Sequence, residues 1–122
     1  MNKSALAIFA HPDDIEFVAA GTLLLLAEAG YDLHYFVACS GNCGAMDSGP
    51  EEIRSVREAE ARKGAEILGA TFHPSIVDDL ELIYNVENLR KVAAVVRQTE
   101  PSIVLTHSPE DYMEDHMNAS RL

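Results

Sequence analysis

Two short polar segments contain the residue types that can bind and activate a small molecule. The first is His11-Pro12-Asp13-Asp14, and the second runs from residue 107 to residue 116 with a histidine at each end. His11 and Asp14 can face one ion from a tight turn, and His116 adds a second imidazole. Two imidazoles and one carboxylate suit a catalytic Zn²⁺ site, in which a fourth position stays open for water. Because the same set also serves Fe²⁺, the pattern predicts a divalent metal without choosing between these two.

Asp13 cannot easily point in the same direction as its neighbour Asp14. It is therefore a candidate general base, which takes a proton from the water molecule beside the ion. An ordinary structural interpretation stays open for both segments. Two aspartates before a helix are common as N-caps, and a histidine near a strand end often only makes a hydrogen bond.

The elements that must position these segments follow from the hydrophobic pattern. Short apolar or β-branched runs predict strands at residues 5–9, 33–39, 72–77 and 102–106. Apolar periodicity, with glycine or proline at the ends, predicts helices at residues 15–29, 51–68 and 86–99 and the start of another at 115–122. Residues 40–50, rich in glycine, are predicted to be a loop.

The alternation of strands and helices predicts an α/β fold, a Rossmann-like, mostly parallel sheet with helices on both faces. In the usual doubly wound order 3-2-1-4, the first and fourth strands are neighbours, and ligand sites form where the order reverses between them. Both polar segments directly follow these two strands, so the order brings them into one cleft. A sheet that ends at its fourth strand, with part of a helix beyond, suggests the N-terminal part of a longer domain.

The apolar face of the first helix is predicted to pack on the sheet. Its members are Phe17, Val18, Leu24, Leu25 and Leu26. Gly21 lies within this helix, where glycine costs about 1 kcal/mol relative to alanine. We therefore expect Gly21 to mark a close approach to the sheet.

The remaining histidines and the cysteines are predicted to be structural. His34 and His73 fall within predicted strands. Cys39 and Cys43 are too few for a disulfide framework and make a poor metal site by themselves, so we interpret them as reduced thiols of a cytoplasmic protein.

Composition restricts the class of protein. The 122 residues include 20 acidic and 9 basic side chains, a net charge of −11, which argues against binding to nucleic acid phosphates. A hydrophobic fraction of 48% is enough for a globular domain. The sequence has no apolar run of the roughly 18 residues that cross a bilayer, and its N-terminus lacks a secretion signal. We predict a single domain over residues 1–122.

The segment Ala10–Asp14 resembles the signature of the LmbE-like, or PIG-L-like, family of zinc-dependent N-deacetylases, which act on N-acetylglucosamine-type substrates. The resemblance covers nearly the whole chain. Three further segments agree with the family pattern: an Arg-x-x-Glu helix ending in Leu-Gly at 57–69, a strand at 100–107 and a second metal motif at 109–116.

The resemblance implies a role for each matching residue. The implied zinc ligands are His11, Asp14 and His116. Asp13 is the implied general base and Arg57 the implied substrate contact, in a reaction in which a water molecule activated by the metal removes an N-acetyl group from an amino sugar. Asp115 is interpreted as a partner that orients His116 or as a helix cap.

One position departs from the family pattern. Met113 stands where the family often has a histidine that stabilises the oxyanion or protonates the leaving amine, and a thioether can do neither. Four alternatives follow. His107 takes over, Asp13 returns the proton, the substrate differs, or the protein is a weak member. A rival interpretation is therefore a metal-binding or ligand-binding domain without deacetylase turnover. The expected partner is a small N-acylated amino sugar, and homo-oligomer formation is left open.

Overall fold

The structure, a computed structural model, describes residues 3–122 and contains a four-stranded sheet with helices on both sides. The strands are β1 (Lys3–Phe9), β2 (Tyr31–Val37), β3 (Thr71–His73) and β4 (Ile103–Thr106). The helices are α1 (Asp14–Val18), α2 (Ala20–Glu28), α3 (Pro50–Leu68), α4 (Val86–Thr99) and α5 (Glu114–Arg121). Within residues 3–122, no helix is both long enough and apolar enough to cross a membrane.

The strand order confirms the predicted topology. The sheet is parallel and has the order β3-β2-β1-β4. On the β4 side of β1, Ile8 lies opposite Thr106. The carboxyl ends of β1 and β4 are therefore adjacent, and the two polar segments that follow them lie side by side.

Alternate residues of β1 point into two separate hydrophobic cores, because side chains alternate across a strand. Ala5, Ala7 and Phe9 belong to the core on one face, and Leu6 and Ile8 belong to the core on the other. The first face is covered by α1, α2 and α3, and the second by α4 and α5, through buried residues that include Ile15, Leu23, Ala61, Val92 and Ala119. Helices on both faces are thus confirmed.

The helix predicted at 15–29 is two helices, separated at Ala19, whose φ of −130° lies outside the helical range. The stripe that covers the sheet consists of Ile15, Ala19 and Leu23, all buried. This narrow stripe, with a spacing of four residues, makes the buried contact, and the half-buried Ala20 and Leu26 pack against the same core. The predicted apolar face is therefore wrong for four members, which are exposed: Phe17, Val18, Leu24 and Leu25. The prediction for Gly21 is also wrong, since a Cβ there would meet no atom within 4 Å.

Boundaries of β1, β2 and β3 differ from prediction by two residues or more: β1 begins at Lys3 rather than at residue 5, and β2 ends at Val37 rather than at residue 39. β2 begins at Tyr31 rather than at residue 33, because residues 31 and 32 already pair with β1. β3 ends at His73 rather than at residue 77, because Pro74 has no N–H for the ladder. Val77 keeps an isolated bridge to Cys39. The helices predicted at 51–68 and 86–99 are confirmed to within one residue.

Of the side chains predicted to be structural, His34 and His73 pair with each other, Cys39 is enclosed, and Cys43 is exposed near His11. His34 Nδ1 and His73 Nε2 form a hydrogen bond of 2.9 Å between β2 and β3. Cys39 is buried, Cys43 is exposed, and both are free thiols.

Candidate metal centre

The turn after β1 is fixed so that its polar side chains face the end of β4. The N–H of Ala10 donates to His107 Nε2 at 3.0 Å, which ties the turn to the residue that follows β4. Asp14 Oδ2 accepts the N–H of His11 at 2.9 Å, at the start of α1. Asp13 has a φ of 81°, a left-handed conformation that aspartate adopts more readily than most residues.

The three predicted ligands converge. Asp14 Oδ2 lies 3.5 Å from His11 Nδ1 and 3.4 Å from His116 Nε2. One ligand atom from each of the three residues lies within 4.8 Å of the others. The turn after β1 and helix α5 supply these atoms from opposite ends of the chain. One carboxylate and two imidazoles fit Zn²⁺ with one position open, and they also fit Fe²⁺.

Each imidazole has one nitrogen that faces Asp14 and another that is hydrogen-bonded to a further carboxylate, a different one for each ring. His11 Nε2 donates to Asp115 Oδ2 at 2.8 Å, and His116 Nδ1 donates to Asp111 Oδ1 at 3.1 Å. When both rings are neutral, His11 Nδ1 and His116 Nε2 carry the lone pairs, and both face Asp14. Outer carboxylates of this kind fix the tautomer and ring orientation of metal-binding histidines. The donor set is therefore arranged to receive a cation.

The interpretation of Asp115 as the partner of His116 is wrong. Asp115 is 2% exposed, and its Oδ2 accepts both from His11 and from the N–H of Leu80, the latter at 3.0 Å. Asp111 takes the role at His116, and sequence reasoning missed it. It also accepts the N–H of Met113. Its place within the 109–116 motif, five residues before His116, is the signal that could have identified it.

Two other clusters overlap this site, and their donors are less suited to a metal. They are His107 with Asp111 and His116, and His11 with Cys39 and Asp79. In the first, His107 Nε2 already accepts the N–H of Ala10. In the second, burial and nearby carboxylates raise the pKa of the Cys39 thiol. Because the thiolate is the form that binds metals, this cysteine is a poor ligand.

The surroundings of His11 stabilise a positive charge. Burial alone lowers its pKa, but hydrogen bonds to Asp14 and Asp115 and the charge of Asp79 outweigh burial and raise the pKa to about 9. Burial raises the pKa of Asp14, but the hydrogen bonds from the ring and backbone of His11 outweigh it, so this pKa is lowered. A proton or a metal ion can supply the positive charge that these carboxylates favour.

His107 is neutral, and one of its ring nitrogens accepts a hydrogen bond. Burial and the neighbouring His116 lower its pKa to about 4. The two rings stack with their centroids 3.9 Å apart. Because Nε2 accepts the N–H of Ala10, the ring proton sits on Nδ1, and Nε2 is not free to donate.

The low pKa of His107 predicts a loss of stability in acid. An unfolded histidine titrates near 6.5, and folded His107 titrates near 4, so the unfolded state binds more protons between these values. The free energy of unfolding therefore falls as the pH falls from about 6.5 to about 4. We expect His107→Gln to remove up to about 1.4 kcal/mol per pH unit from this slope. Urea unfolding of the metal-free protein at several pH values measures it.

His34 and His73 contribute to the same pH window, since burial lowers the pKa of each. Both are present in the wild type and in His107→Gln, so the difference between the two slopes isolates His107. Equal slopes in the two proteins would contradict the prediction.

Arg57 contacts the turn that carries Asp13. Its Nη2 donates to the Pro12 carbonyl at 2.6 Å and lies 3.0 Å from Asp13 Oδ2, while Nη1 donates to Glu60 at 2.5 Å. A Cβ at Gly41 would lie 3.0 Å from the Pro12 ring and 3.1 Å from the Arg57 side chain, so only glycine lets this loop close on the turn. The Asp13 side chain is 49% exposed and is thus accessible beside the ligand cluster.

The loop after β3 contributes two carboxylates that the sequence analysis did not single out. Asp79 accepts the N–H groups of Gly41 and Cys43 at 2.8 and 3.1 Å. Asp78 pairs with Arg54 at 2.6 Å. The bonds of Asp79 connect the loops that follow β2 and β3, and the ion pair of Asp78 connects the second of these loops to α3. The available signal was a pair of aspartates after a strand, the same pattern as at residues 13 and 14.

The fold and the site define a Rossmann-like protein with a histidine–carboxylate cluster at the switch point of its sheet. Residues 6–122 match the family described as PIG-L: GlcNAc-PI de-N-acetylase, and the chain belongs to this PIG-L, or LmbE-like, family. The resemblance noted in the sequence is confirmed.

Similar proteins include enzymes of two kinds. A 4-oxalmesaconate hydratase from Pseudomonas putida is 33% identical over 98% of this chain and 50% of its own length. A probable N-acetyl-alpha-D-glucosaminyl L-malate deacetylase 2 from Bacillus cereus is 26% identical over 98% of this chain and 58% of its own length. The solved N,N'-diacetylchitobiose deacetylase from Pyrococcus horikoshii superposes with a TM-score of 0.90 at 26% identity, over 98% of this chain and 47% of the other. The chain thus spans about half the length of the relatives it matches.

Proposed function

We propose that this protein is a metal-dependent hydrolase that removes an N-acetyl or similar N-acyl group from a small amino sugar, such as an N-acetylglucosamine conjugate. The convergence of His11, Asp14 and His116 beside the accessible carboxylate of Asp13 carries the proposal. Relatives named as deacetylases in Bacillus cereus and Pyrococcus horikoshii support it.

The proposed metal is Zn²⁺, with Fe²⁺ as the alternative, held by His11, Asp14 and His116. When bound, such an ion lowers the pKa of water and polarises an amide carbonyl. Asp115 and Asp111 hold the two imidazoles in the tautomers that bind metal.

Asp13 is the proposed general base, and Arg57 holds its carboxylate at 3.0 Å. From this position Asp13 takes a proton from the attacking water and passes it to the leaving nitrogen, so that a carboxylic acid and an amine are released. Met113 has no proton to donate, and His107 Nε2 is bonded to Ala10. Among the sequence-based alternatives, the return of the proton by Asp13 is therefore favoured, and His107 acts by anchoring the turn.

Arg57 retains a proposed role in substrate binding, because a substrate that reaches Asp13 passes beside its guanidinium. The proposed partner is a small molecule rather than a nucleic acid, whose phosphates a net charge of −11 repels. A cytoplasmic location with reduced Cys39 and Cys43 is part of the same proposal, and so is the open question of a homo-oligomer.

A hydratase is the second candidate function. The 33% identity to the Pseudomonas putida 4-oxalmesaconate hydratase favours it. Addition of water to a double bond would use Asp13 as the same general base. Against it, Arg54 is paired with Asp78 and Arg57 with Asp13, so a carboxylated substrate would compete with these carboxylates for either cation.

Acetate release tests the proposed function. We expect the Zn²⁺-loaded protein to release acetate from N-acetylglucosamine or N,N'-diacetylchitobiose, and we expect Asp13→Asn to lower kcat/KM about 10²–10⁴-fold, the usual contribution of a general base. Asp32→Asn is the matched control, because Asp32 is exposed at the opposite end of β2.

Equally slow release by the wild type and by Asp13→Asn would contradict the deacetylase proposal. Consumption of 4-oxalmesaconate without any acetate release, lost in Asp13→Asn, would instead support the hydratase.

A further inference from the structure

A cavity of about 240 Å³ opens directly beside His11. Its lining consists of His11, Cys43, Asp79, Leu80, Met113 and Asp115. The cavity shares His11 with the predicted ligand set and Asp115 with the carboxylates that hold it. A group that fills this cavity therefore contacts His11, one of the three proposed ligands. None of the sequence motifs accounts for it.

Leu80 at the edge of this cavity is held in an unfavourable conformation. Its φ is 67°, in the left-handed region, which costs a residue with a Cβ about 1–2 kcal/mol. Its N–H donates to the buried carboxylate of Asp115 at 3.0 Å, which maintains the conformation. The side chain is 71% exposed, so little burial offsets the strain. Backbone strain of this kind concentrates at ligand-binding sites.

Met113 forms another part of the wall. It precedes α5, and Asp111 fixes its N–H at 3.1 Å, so its backbone position is set by the same residue that orients His116. Methionine is flexible and apolar, and it adapts to irregular hydrocarbon surfaces. Together, Leu80 and Met113 offer no hydrogen bond to a sugar hydroxyl, but they suit an alkyl chain.

We infer that this cavity is the acyl subsite and that it accepts N-acyl chains longer than acetyl. The inference rests on the proposed function and names its substrate class, an N-acylated amino sugar with a short alkyl chain. One water molecule occupies roughly 30 Å³ in the liquid, and an acetyl methyl group is of similar size. The cavity is open to solvent, and its volume of about 240 Å³ leaves room for a chain longer than acetyl.

Leu80→Gly tests the inference, because glycine adopts a positive φ without strain and the variant is expected to fold with an unchanged or higher Tm. The substrates are N-acetylglucosamine and N-butanoylglucosamine with the Zn²⁺-loaded protein. We expect the wild type to prefer butanoyl in kcat/KM, and Leu80→Gly to reduce that preference about tenfold, the usual effect of lost hydrocarbon contacts. Ile67→Ala, at an exposed position near the C-terminal end of α3, is the matched control and should leave the preference unchanged.

Calorimetric binding of butanoate and acetate to the Zn²⁺-loaded protein gives a readout that needs no turnover. Tighter binding of butanoate, lost in Leu80→Gly, supports the subsite even if neither amide is hydrolysed, a result that would overturn only the proposed function. Acetyl hydrolysis with no butanoyl preference in the wild type would overturn the inference alone. An effect of Leu80→Gly on hexyl N-acetylglucosaminide rather than on the butanoyl amide would assign the cavity to the amine side and would also overturn it.

Discussion

Asp14→Ala is expected to abolish stable metal binding by the purified protein. Asp14 Oδ2 lies 3.5 Å from His11 Nδ1 and 3.4 Å from His116 Nε2, so it is the group that joins the two imidazoles into one site. Its removal leaves two imidazoles and no negative charge among the predicted ligands. Loss of an outer partner alone weakens metal binding about 10–100-fold, and loss of a direct ligand should exceed that. Elemental analysis after dialysis should fall from about one ion per chain to almost none.

Far-UV circular dichroism should change little in Asp14→Ala, because Asp14 begins a helix of only 5 residues. Glu28→Ala, an exposed carboxylate in α2, is the control for charge removal and should keep its metal. Full metal content in Asp14→Ala would contradict the ligand assignment.

Asp115→Ala is expected to affect stability and metal affinity together. Asp115 is 2% exposed and accepts hydrogen bonds from His11 Nε2 and from the N–H of Leu80. Removing one partner of a buried, hydrogen-bonded charge pair costs about 3–5 kcal/mol. His11 also loses the bond that fixes its tautomer, so metal affinity should fall about 10–100-fold. Urea unfolding and competition with a chelating indicator measure the two effects.

Two variants sharpen this test. Glu114→Ala removes the adjacent, exposed carboxylate and should change neither quantity. Asp115→Asn keeps an acceptor for one N–H but loses the charge, so its effects should be intermediate. If Asp115→Ala and Glu114→Ala behave alike, Asp115 does not support His11.

The meeting of the two polar segments was predictable because it depends on topology. Alternating strands and helices permit few arrangements, and the order 3-2-1-4 places the residues after β1 and β4 together. That order brings together the segments that contain His11, Asp14 and His116. The partners of the two histidines were not predictable, because they depend on the loop before α5 and on the left-handed backbone at Leu80, which brings its N–H to Asp115.

Which apolar residues of a helix are buried was also not predictable from the sequence. Periodicity identified apolar positions in the first helical segment, but burial depends on which surfaces face each other. Ile15 and Leu23 reach the sheet, whereas Phe17 and Leu25, equally apolar, do not. At β3, proline predicts the end of the strand better than the hydrophobic pattern does. Pro74 has no backbone N–H to donate, so the strand ends at His73.

The bond between His11 and Asp115 joins residues 104 positions apart, and it has a consequence for biosynthesis. A polypeptide leaves the ribosome from its N-terminus, so the first half of the cluster is exposed to the cell well before the second half is made. Loading with the proposed cation would therefore wait until translation has passed α5. A chain stopped before residue 116 would retain the first turn and still be unable to retain the ion.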